Sequence, residues 1–213
     1  MKNNKPFRRL PQQARSYQRF NQIINAAAQV FEEVGYEAAS TELIAERANT
    51  SIGSLYRFFP DKAAIVYTLA EQYAEQMKSL FATHFNSSTV LCSLEQVVGE
   101  TVDAFDEFYT SQPGCREIML QSLISPEIQA VNKQADSQII EQLDHFFALR
   151  NPTIHPHQRR LAALVSLEVT NALQLWSLQE ESDELRKQII TEAKYVLIRY
   201  LSPLFEDNKD TKN

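Results

Sequence analysis

The sequence predicts an all-α protein of about nine helices: an N-terminal three-helix unit followed by a larger helical unit. Three observations predict it. Apolar residues recur every three to four positions along almost the whole chain, and no stretch alternates with the period of two that a half-buried strand needs. Glycine is scarce, with Gly35, Gly53, Gly99 and Gly114 the only four in 213 residues. The rest is rich in Ala, Leu, Glu and Gln, which favour helices over sheets. At 44% hydrophobic and 23% charged residues the chain can bury a core.

The first helix runs from Tyr17 to Val34, with Phe20, Ile23, Ala27, Phe31 and Val34 recurring along it. Gly35 supplies its stop. Tyr36 to Ser40 connects to Thr41, an N-cap residue for a second helix from Glu42 to Ala48 that turns Ile44, Ala45 and Ala48 inward. Asn49-Thr50-Ser51 makes a tight turn, because Asn best tolerates the left-handed backbone among non-glycine residues. A third short helix, Ser51 to Phe59, buries Leu55 and Phe59 and is broken by Pro60. Asp61 caps a long fourth helix carrying Ile65, Leu69, Tyr73, Met77 and Phe81.

Leu94, Val97, Val98, Thr101, Phe105, Phe108 and Tyr109 mark a fifth helix, punctuated by Gln112-Pro113-Gly114. A short helix follows from about Cys115 to Ile124. Pro126 opens another, which buries Ile128, Val131, Ala135, Ile139, Leu143, Phe146 and Phe147. Two last helices run from His157 to Gln179 and, capped by Ser182, from Asp183 to Leu204. The charged tail, residues 206–213, is expected to be disordered.

Charge placement says more than the net charge of −6. Residues 1–20 carry Lys2, Lys5, Arg8, Arg9, Arg15 and Arg19 and no acid. Residues 1–62 hold nine Lys/Arg against six Asp/Glu, and the remainder twelve against twenty-one. A basic head on an acidic body either meets phosphates at one end or is merely a solvated tail; charge alone leaves both open.

Two short helices joined by a three-residue turn fit a helix-turn-helix. The first must be thin where the second crosses it, and Ala45 and Ala48 are small. The second needs small or polar residues at its start for its backbone to approach a groove, and Ser51, Gly53 and Ser54 stand there. Thr41, Tyr56 and Lys62 are candidate phosphate donors.

The run Ala26-Ala27 … Phe31 … Gly35-Tyr36 … Ser40-Thr41 … Ile44-Ala45 … Ala48 … Ser51 … Gly53-Ser54-Leu55-Tyr56 … Phe58-Phe59-Pro60-Asp61-Lys62 resembles the DNA-binding domain of the TetR (tetracycline-repressor-like) family. The resemblance covers about residues 17–66. It implies a homodimer of nine- or ten-helix protomers, each laying its third helix in the major groove of a palindromic operator on double-stranded DNA. By position, Thr50, Ile52 and Gly53 would lie near bases, and Thr41, Ser54, Tyr56 and Lys62 would hold phosphates. Arg57 and Phe58 would lie along the groove-facing edge. Arg15 and Arg19 would reach the backbone from the first helix. Ile52 stands where the family usually has a polar residue; it either meets a thymine methyl or packs beside Leu55. Asn49 replaces a frequent glycine. Glu42 replaces a frequent basic residue and suits a solvated helix N-terminus.

The chain then divides into a basic arm (1–16), the helix-turn-helix domain (17–62), a regulatory and dimerisation domain (63–205) and the tail. In the segment Leu161 to Leu178, twelve of eighteen residues are apolar and spread around the helix, so it is read as buried on most sides. Together with the last helix it closes either a monomer core or, as the resemblance implies, a two-fold dimer interface. Phe105, Phe108, Tyr109, Met119, Phe146, Phe147 and Trp176 are candidates to enclose a small, apolar effector; plain core is the other reading. Glu168, Asn171 and Gln174, at spacing three, pair across a dimer or meet the ligand, with Glu168 favouring a cation.

Cys92 and Cys115 form no metal-like pair and read as free thiols of a reducing cytosol. Residues 2–22 lack an apolar signal segment. Glu168, Asn171 and Gln174 argue against a lipid-spanning reading of the apolar window, so no membrane is expected. No cofactor and no metal is expected: His84, His145, His155 and His157 do not suggest convergence. No phosphate-binding glycine loop and no nucleophile elbow is present, so no enzyme is expected. The function expected is a cytoplasmic, ligand-released repressor; a DNA-binding activator and a helical protein-binding adaptor are the alternatives.

Overall fold

The computed structural model describes residues 14–205. The expected tail and nearly all of the arm, including Lys2, Lys5, Arg8 and Arg9, lie outside the described residues. These form α1 (Ala14–Ala38), α2 (Thr41–Arg47), α3 (Ile52–Phe58), α4 (Lys62–His84), α5 (Leu94–Ser111), α6 (Cys115–Gln121), α7 (Pro126–Arg150), α8 (Pro156–Gln179) and α9 (Asp183–Phe205). They gather into two compact units, 1–75 with 110–132 and 76–109 with 133–213. The first therefore holds more than 17–62: it takes in the first half of α4, all of α6 and the start of α7.

The first unit is built on Ile23, Ile24, Phe31, Ile44, Leu55, Phe59, Ile65 and Leu69, with Ile118 and Ile128 added from later in the chain. Gly35 breaks α1 as expected, at φ 75° and ψ 167°, a conformation that essentially only glycine adopts. Val34, however, is exposed rather than inward: its phase matches the stripe of Ile23, Ala27 and Phe31, but it stands immediately before the break at Gly35. The N-cap of α2 is Ser40, not Thr41: the Ser40 hydroxyl accepts from the Leu43 N–H. Asn49 is left-handed, at φ 47°, as the turn demands.

A second junction joins α1 to α6. Gly114 sits at φ 70° against the backbone of Ala28; a Cβ there would lie 2.6 Å from the Ala28 carbonyl oxygen. The Gly114 N–H donates to the Glu32 carboxylate, and the Tyr73 hydroxyl donates to the Pro113 carbonyl at 2.6 Å. The Tyr36 N–H meets Glu117 Oε2 at 3.4 Å. Burial, reinforced by the charge of Glu32, pushes the Cys115 thiol up to about 12, so it stays a protonated core thiol.

The second unit packs Phe81, Val97, Phe105, Leu143, Phe146, Phe147, Leu167, Ile190, Leu197 and Leu201 together. Polar ties cross its helices. Arg159 Nε donates to Asp144 at 2.8 Å, joining α8 to α7. Arg186 Nη1 reaches Asp106 at 2.6 Å, joining α9 to α5. Buried Gln174 donates to Asp106 at 3.3 Å, and Asn171 to Asp136 at 3.3 Å. Burial lifts the Asp136 carboxyl above its ordinary range; the Asn171 bond opposes the lift and Glu168 adds to it.

The helix α8 is long and apolar enough to cross a membrane by length and composition. It is not buried on most sides, as its composition suggests. Ala162, Ala163, Ser166, Leu167, Gln174, Ser177 and Leu178 are buried, whereas Leu161, Leu164 and Trp176 are exposed. On α9, Leu185, Tyr195, Val196 and Tyr200 are exposed as well.

Candidate nucleic-acid interface

The turn between α2 and α3 is held locally. The Thr50 N–H donates to the Ala45 carbonyl at 3.0 Å, and the Ser51 hydroxyl caps α3 by accepting from the Ser54 N–H. The two serine hydroxyls also bond each other at 2.9 Å. This fixes the start of α3 while Leu55 anchors its inner face in the core. What remains outward is Ile52, Gly53, Tyr56 and Arg57. Ile52 is 37% exposed, so its side chain is not spent on packing beside Leu55.

Gly53 has no structural need to be glycine. Its φ is not positive, and a Cβ there would meet nothing within 4 Å. Glycine inside a helix costs about 0.5–1 kcal/mol relative to alanine. Gly53→Ala is therefore expected to stabilise the chain by about that amount in urea denaturation, and to weaken duplex binding. A variant both more stable and equally good at binding would mean that nothing approaches the Gly53 backbone.

Three guanidinium side chains meet at one concavity. Arg15, Ser16 and Arg19 of α1 and Ser54, Arg57 and Phe58 of α3 line a cleft of about 260 Å³. Arg19 Nη1 donates to Thr50 Oγ1 at 3.2 Å, which ties α1 to the turn. Among the described residues no carboxylate pairs with Arg15, Arg19 or Arg57. Arg47 differs: it makes a bidentate pair with Glu33 at 2.7 and 2.6 Å. The cleft thus keeps its positive charge and most of its N–H donors for an outside anion, the geometry that phosphate oxygens take.

Other candidates hold different positions. Thr41 is buried, and its hydroxyl lies 3.0 Å from the Tyr56 hydroxyl. It steadies Tyr56 rather than reaching outward itself. Phe58 is not groove-facing: it is 4% exposed and meets Phe20 edge-on at 5.9 Å. One helical turn separates Phe58 from Leu55, so both point inward. Lys62 is not free to hold a phosphate. Its ammonium donates to the carbonyls of Tyr36 and Glu37 at the end of α1 and of Ala39 just beyond it, at 2.5, 3.3 and 2.8 Å. It also lies 4.2 Å from the Tyr36 ring centre. The broken end of α1 leaves carbonyls that a cation satisfies.

The second unit encloses a cavity of about 40 Å³. Of the residues expected to enclose an effector, Phe105, Phe146 and Phe147 line it. The others do not. Phe108 and Tyr109 pack on the core beside it, and Met119 lies on α6 in the first unit. Trp176 is 53% exposed and donates to Glu180. Glu168 is exposed, and Asn171 is held by Asp136. The reason is helical phase: α8 turns Ala163, Ser166, Leu167 and Thr170 inward, which puts Leu164, Glu168 and Trp176 outside. Phe81, Phe85, Ser166 and Thr170 are lining residues that the sequence reading missed. The signal for the first two was their spacing of four, Phe81 on α4 and Phe85 just past its end. For the hydroxyls it was small polar side chains inside an apolar run.

Residues 23–67 match the family described as bacterial regulatory proteins, tetR family. Residues 93–201 match the tetracyclin repressor-like C-terminal domain. The chain is 29% identical over 124 residues to the HTH-type transcriptional regulator UidR of Escherichia coli, across 56% of this chain and 59% of UidR. It therefore spans less than two thirds of that relative's length. It is 27% identical over 174 residues to the HTH-type transcriptional activator FasR of Mycolicibacterium smegmatis, across 79% of this chain and 75% of FasR. A solved TetR-family transcriptional regulator from Streptomyces coelicolor superposes with a TM-score of 0.63 at 25% identity, covering 87% of this chain and 99% of that one.

Proposed function

Because the chain belongs to the TetR family, whose members are DNA-binding transcriptional regulators and not enzymes, we propose that it is a ligand-released repressor that binds a palindromic operator as a homodimer. One observation carries the DNA-binding part. The exposed face of α3 and the unneutralised Arg15, Arg19 and Arg57 lie on the same side of one compact unit. Groove reading needs the first and phosphate capture the second. Arg15, Arg19, Ser54 and Arg57 hold phosphates, with Tyr56 steadied by Thr41. Thr50, Ile52 and Gly53 face bases, and Ile52 suits a thymine methyl.

The dimer reading rests on the exposed apolar residues of α8 and α9. Leu161, Leu164, Trp176, Leu185, Val196 and Tyr200 stand exposed on two helices packed together, apolar surface that is unfavourable in water. A second copy related by a two-fold axis covers it with the same residues and spaces two reading heads. The effector reading rests on the apolar cavity. The helix α4 supplies Ile65 and Leu69 to the first core and Met77 and Phe81 to the second. An effector that binds better to a state with α4 shifted draws the dimer off its operator.

The test is fluorescence anisotropy of the full chain against its own upstream DNA and a scrambled duplex, across several salt concentrations. A preference of about a thousandfold or more, with two protomers per site and affinity falling with salt, is the expected result. Absence of binding even at low salt would return the helical adaptor; equal binding to both duplexes would make the chain an architectural protein. Similarity to the activator FasR across most of this chain favours a second reading, activation from the same operator. Transcription from the bound promoter separates the two.

A further inference from the structure

The second unit's cavity has a wholly apolar surface, but one residue lining it carries a buried polar atom without a partner. Ser166 is 6% exposed, lines the cavity, and its Oγ makes no hydrogen bond. A serine in mid-helix commonly returns its hydroxyl proton to the carbonyl four residues back. The neighbouring hydroxyls do that: Thr101 donates to the Val97 carbonyl at 2.6 Å, and Thr170 to the Ser166 carbonyl at 2.8 Å. Both threonine protons are therefore spent, and of these three hydroxyls only the Ser166 proton is free to donate.

The rest of the wall is apolar. Phe81, Phe85, Phe105, Phe146 and Phe147 contribute five phenyl rings, and no lining side chain is charged. A carboxylate or ammonium placed there would lose its hydration without gaining a counter-charge. At about 40 Å³ the closed cavity is far below the several hundred Å³ of a usual ligand pocket. An occupant must open it, and opening must bring the Ser166 hydroxyl to its surface. The half-buried Phe85, stacked on Phe81 at 4.2 Å and edge-on to Phe146 at 5.0 Å, is the least buried of the five rings.

We infer that this cavity receives a neutral, largely hydrocarbon ligand carrying one oxygen acceptor, such as an alcohol, ketone or ester, which takes the Ser166 Oγ–H. The threonine oxygens keep lone pairs, so a ligand hydroxyl can accept from Ser166 and donate to one of them. The inference rests on the effector reading above and sharpens it: Ser166 selects the polar group, and the uncharged wall rejects ions.

Equilibrium dialysis of the full chain against naphthalene, 2-naphthol and 2-naphthoate tests it without DNA. The naphthol is expected to bind about tenfold more tightly than naphthalene, and the naphthoate more weakly than either. Ser166→Ala is expected to remove the naphthol preference while leaving naphthalene binding and the melting temperature undiminished, because an unpaired buried hydroxyl contributes nothing to the fold. Ser166→Cys, close in volume, is expected to give the same loss of preference. Equal binding of naphthol and naphthalene, a preference that survives in the variants, or tightest binding of the naphthoate overturns this inference and leaves the effector reading standing. A fall in melting temperature on Ser166→Ala also overturns it, since the hydroxyl then has a partner in the fold. If none of the three probes binds, the effector reading of this cavity fails as well.

Discussion

Replacing Arg19 and Arg57 together by alanine is expected to weaken binding to operator and scrambled duplex alike, by about tenfold to a hundredfold for each arginine. The factor follows from the chemistry of the cleft. Both side chains are exposed, and neither has a carboxylate partner among the described residues, so their charge is available to phosphate oxygens. A hydrogen bond to a charged group contributes about 1.5–3 kcal/mol. Phosphates carry no sequence information, so the loss falls evenly on both duplexes, and the slope of log affinity against log salt flattens by about one per lost contact. Thermal stability should hardly change, because Arg57 makes no hydrogen bond or ion pair within the described residues and Arg19 gives one bond to Thr50. Anisotropy titrations at four salt concentrations measure all three quantities. Loss confined to the operator would mean that these arginines read bases. No loss at all would mean that the cleft meets no phosphate.

The second large effect concerns stability. Gly114→Ala is expected to cost about 2–5 kcal/mol, read from urea denaturation. Two terms add. A residue with a Cβ at φ 70° costs about 1–2 kcal/mol. Its Cβ would also lie 2.6 Å from the Ala28 carbonyl oxygen and 3.3 Å from two more backbone atoms of Ala28, none of which can rotate away. Overpacking of that kind costs about 1–3 kcal/mol. The Gly114 N–H would also leave Glu32. Gly35→Ala is the control. Its backbone, at φ 75° and ψ 167°, is even more strictly reserved for glycine than the αL of Gly114, but the nearest atom to a Cβ is Glu117 Oε2, at an ordinary 3.6 Å. It should cost about 1–3 kcal/mol, the backbone term alone. If Gly114→Ala proves no worse than Gly35→Ala, close approach to Ala28 is not what seats α6.

The parts of the molecule that were legible in the sequence share a physical property: their determinants are local. Asn49 in a left-handed turn, Ser51 ahead of α3, Asp61 capping α4 through the Ala64 N–H at 2.8 Å and Ser182 ahead of α9 are all set within a few residues. The inward set of Ile44, Ala45 and Leu55 follows from a periodicity that is clear in short amphipathic helices. Two kinds of feature escaped. The phase of α8 did, because a helix apolar on most sides carries no marked face; only the structure separates Ser166 and Leu167 from Leu164 and Trp176. The employment of charged groups did too. Lys62 has the spacing of a phosphate-holding residue, yet the broken turn of α1, some twenty-five residues away, claims its protons. Phe58 and Thr41 were misplaced by one step of helical rotation each.

The junction of α6 with α1 also bears on how the protein is made. Glu32 and Gly114 are 82 positions apart, and Tyr73 and Pro113 are 40 apart. Synthesis delivers α1, α2 and α3 early, but Ile118 and Ile128, which cover part of their core, emerge only after the whole of α5. Until then the nascent reading head carries an open apolar side and an unfilled seat at Ala28. Closing so long a loop is entropically costly and slow, and its reward comes only when the last contact forms. The head therefore matures only after residues 110–132 have emerged, with the whole of α5 made in between: a chain that stalls or is clipped before residue 132 leaves the head unfinished. A prematurely terminated protein thereby lacks a completed head with which to meet DNA.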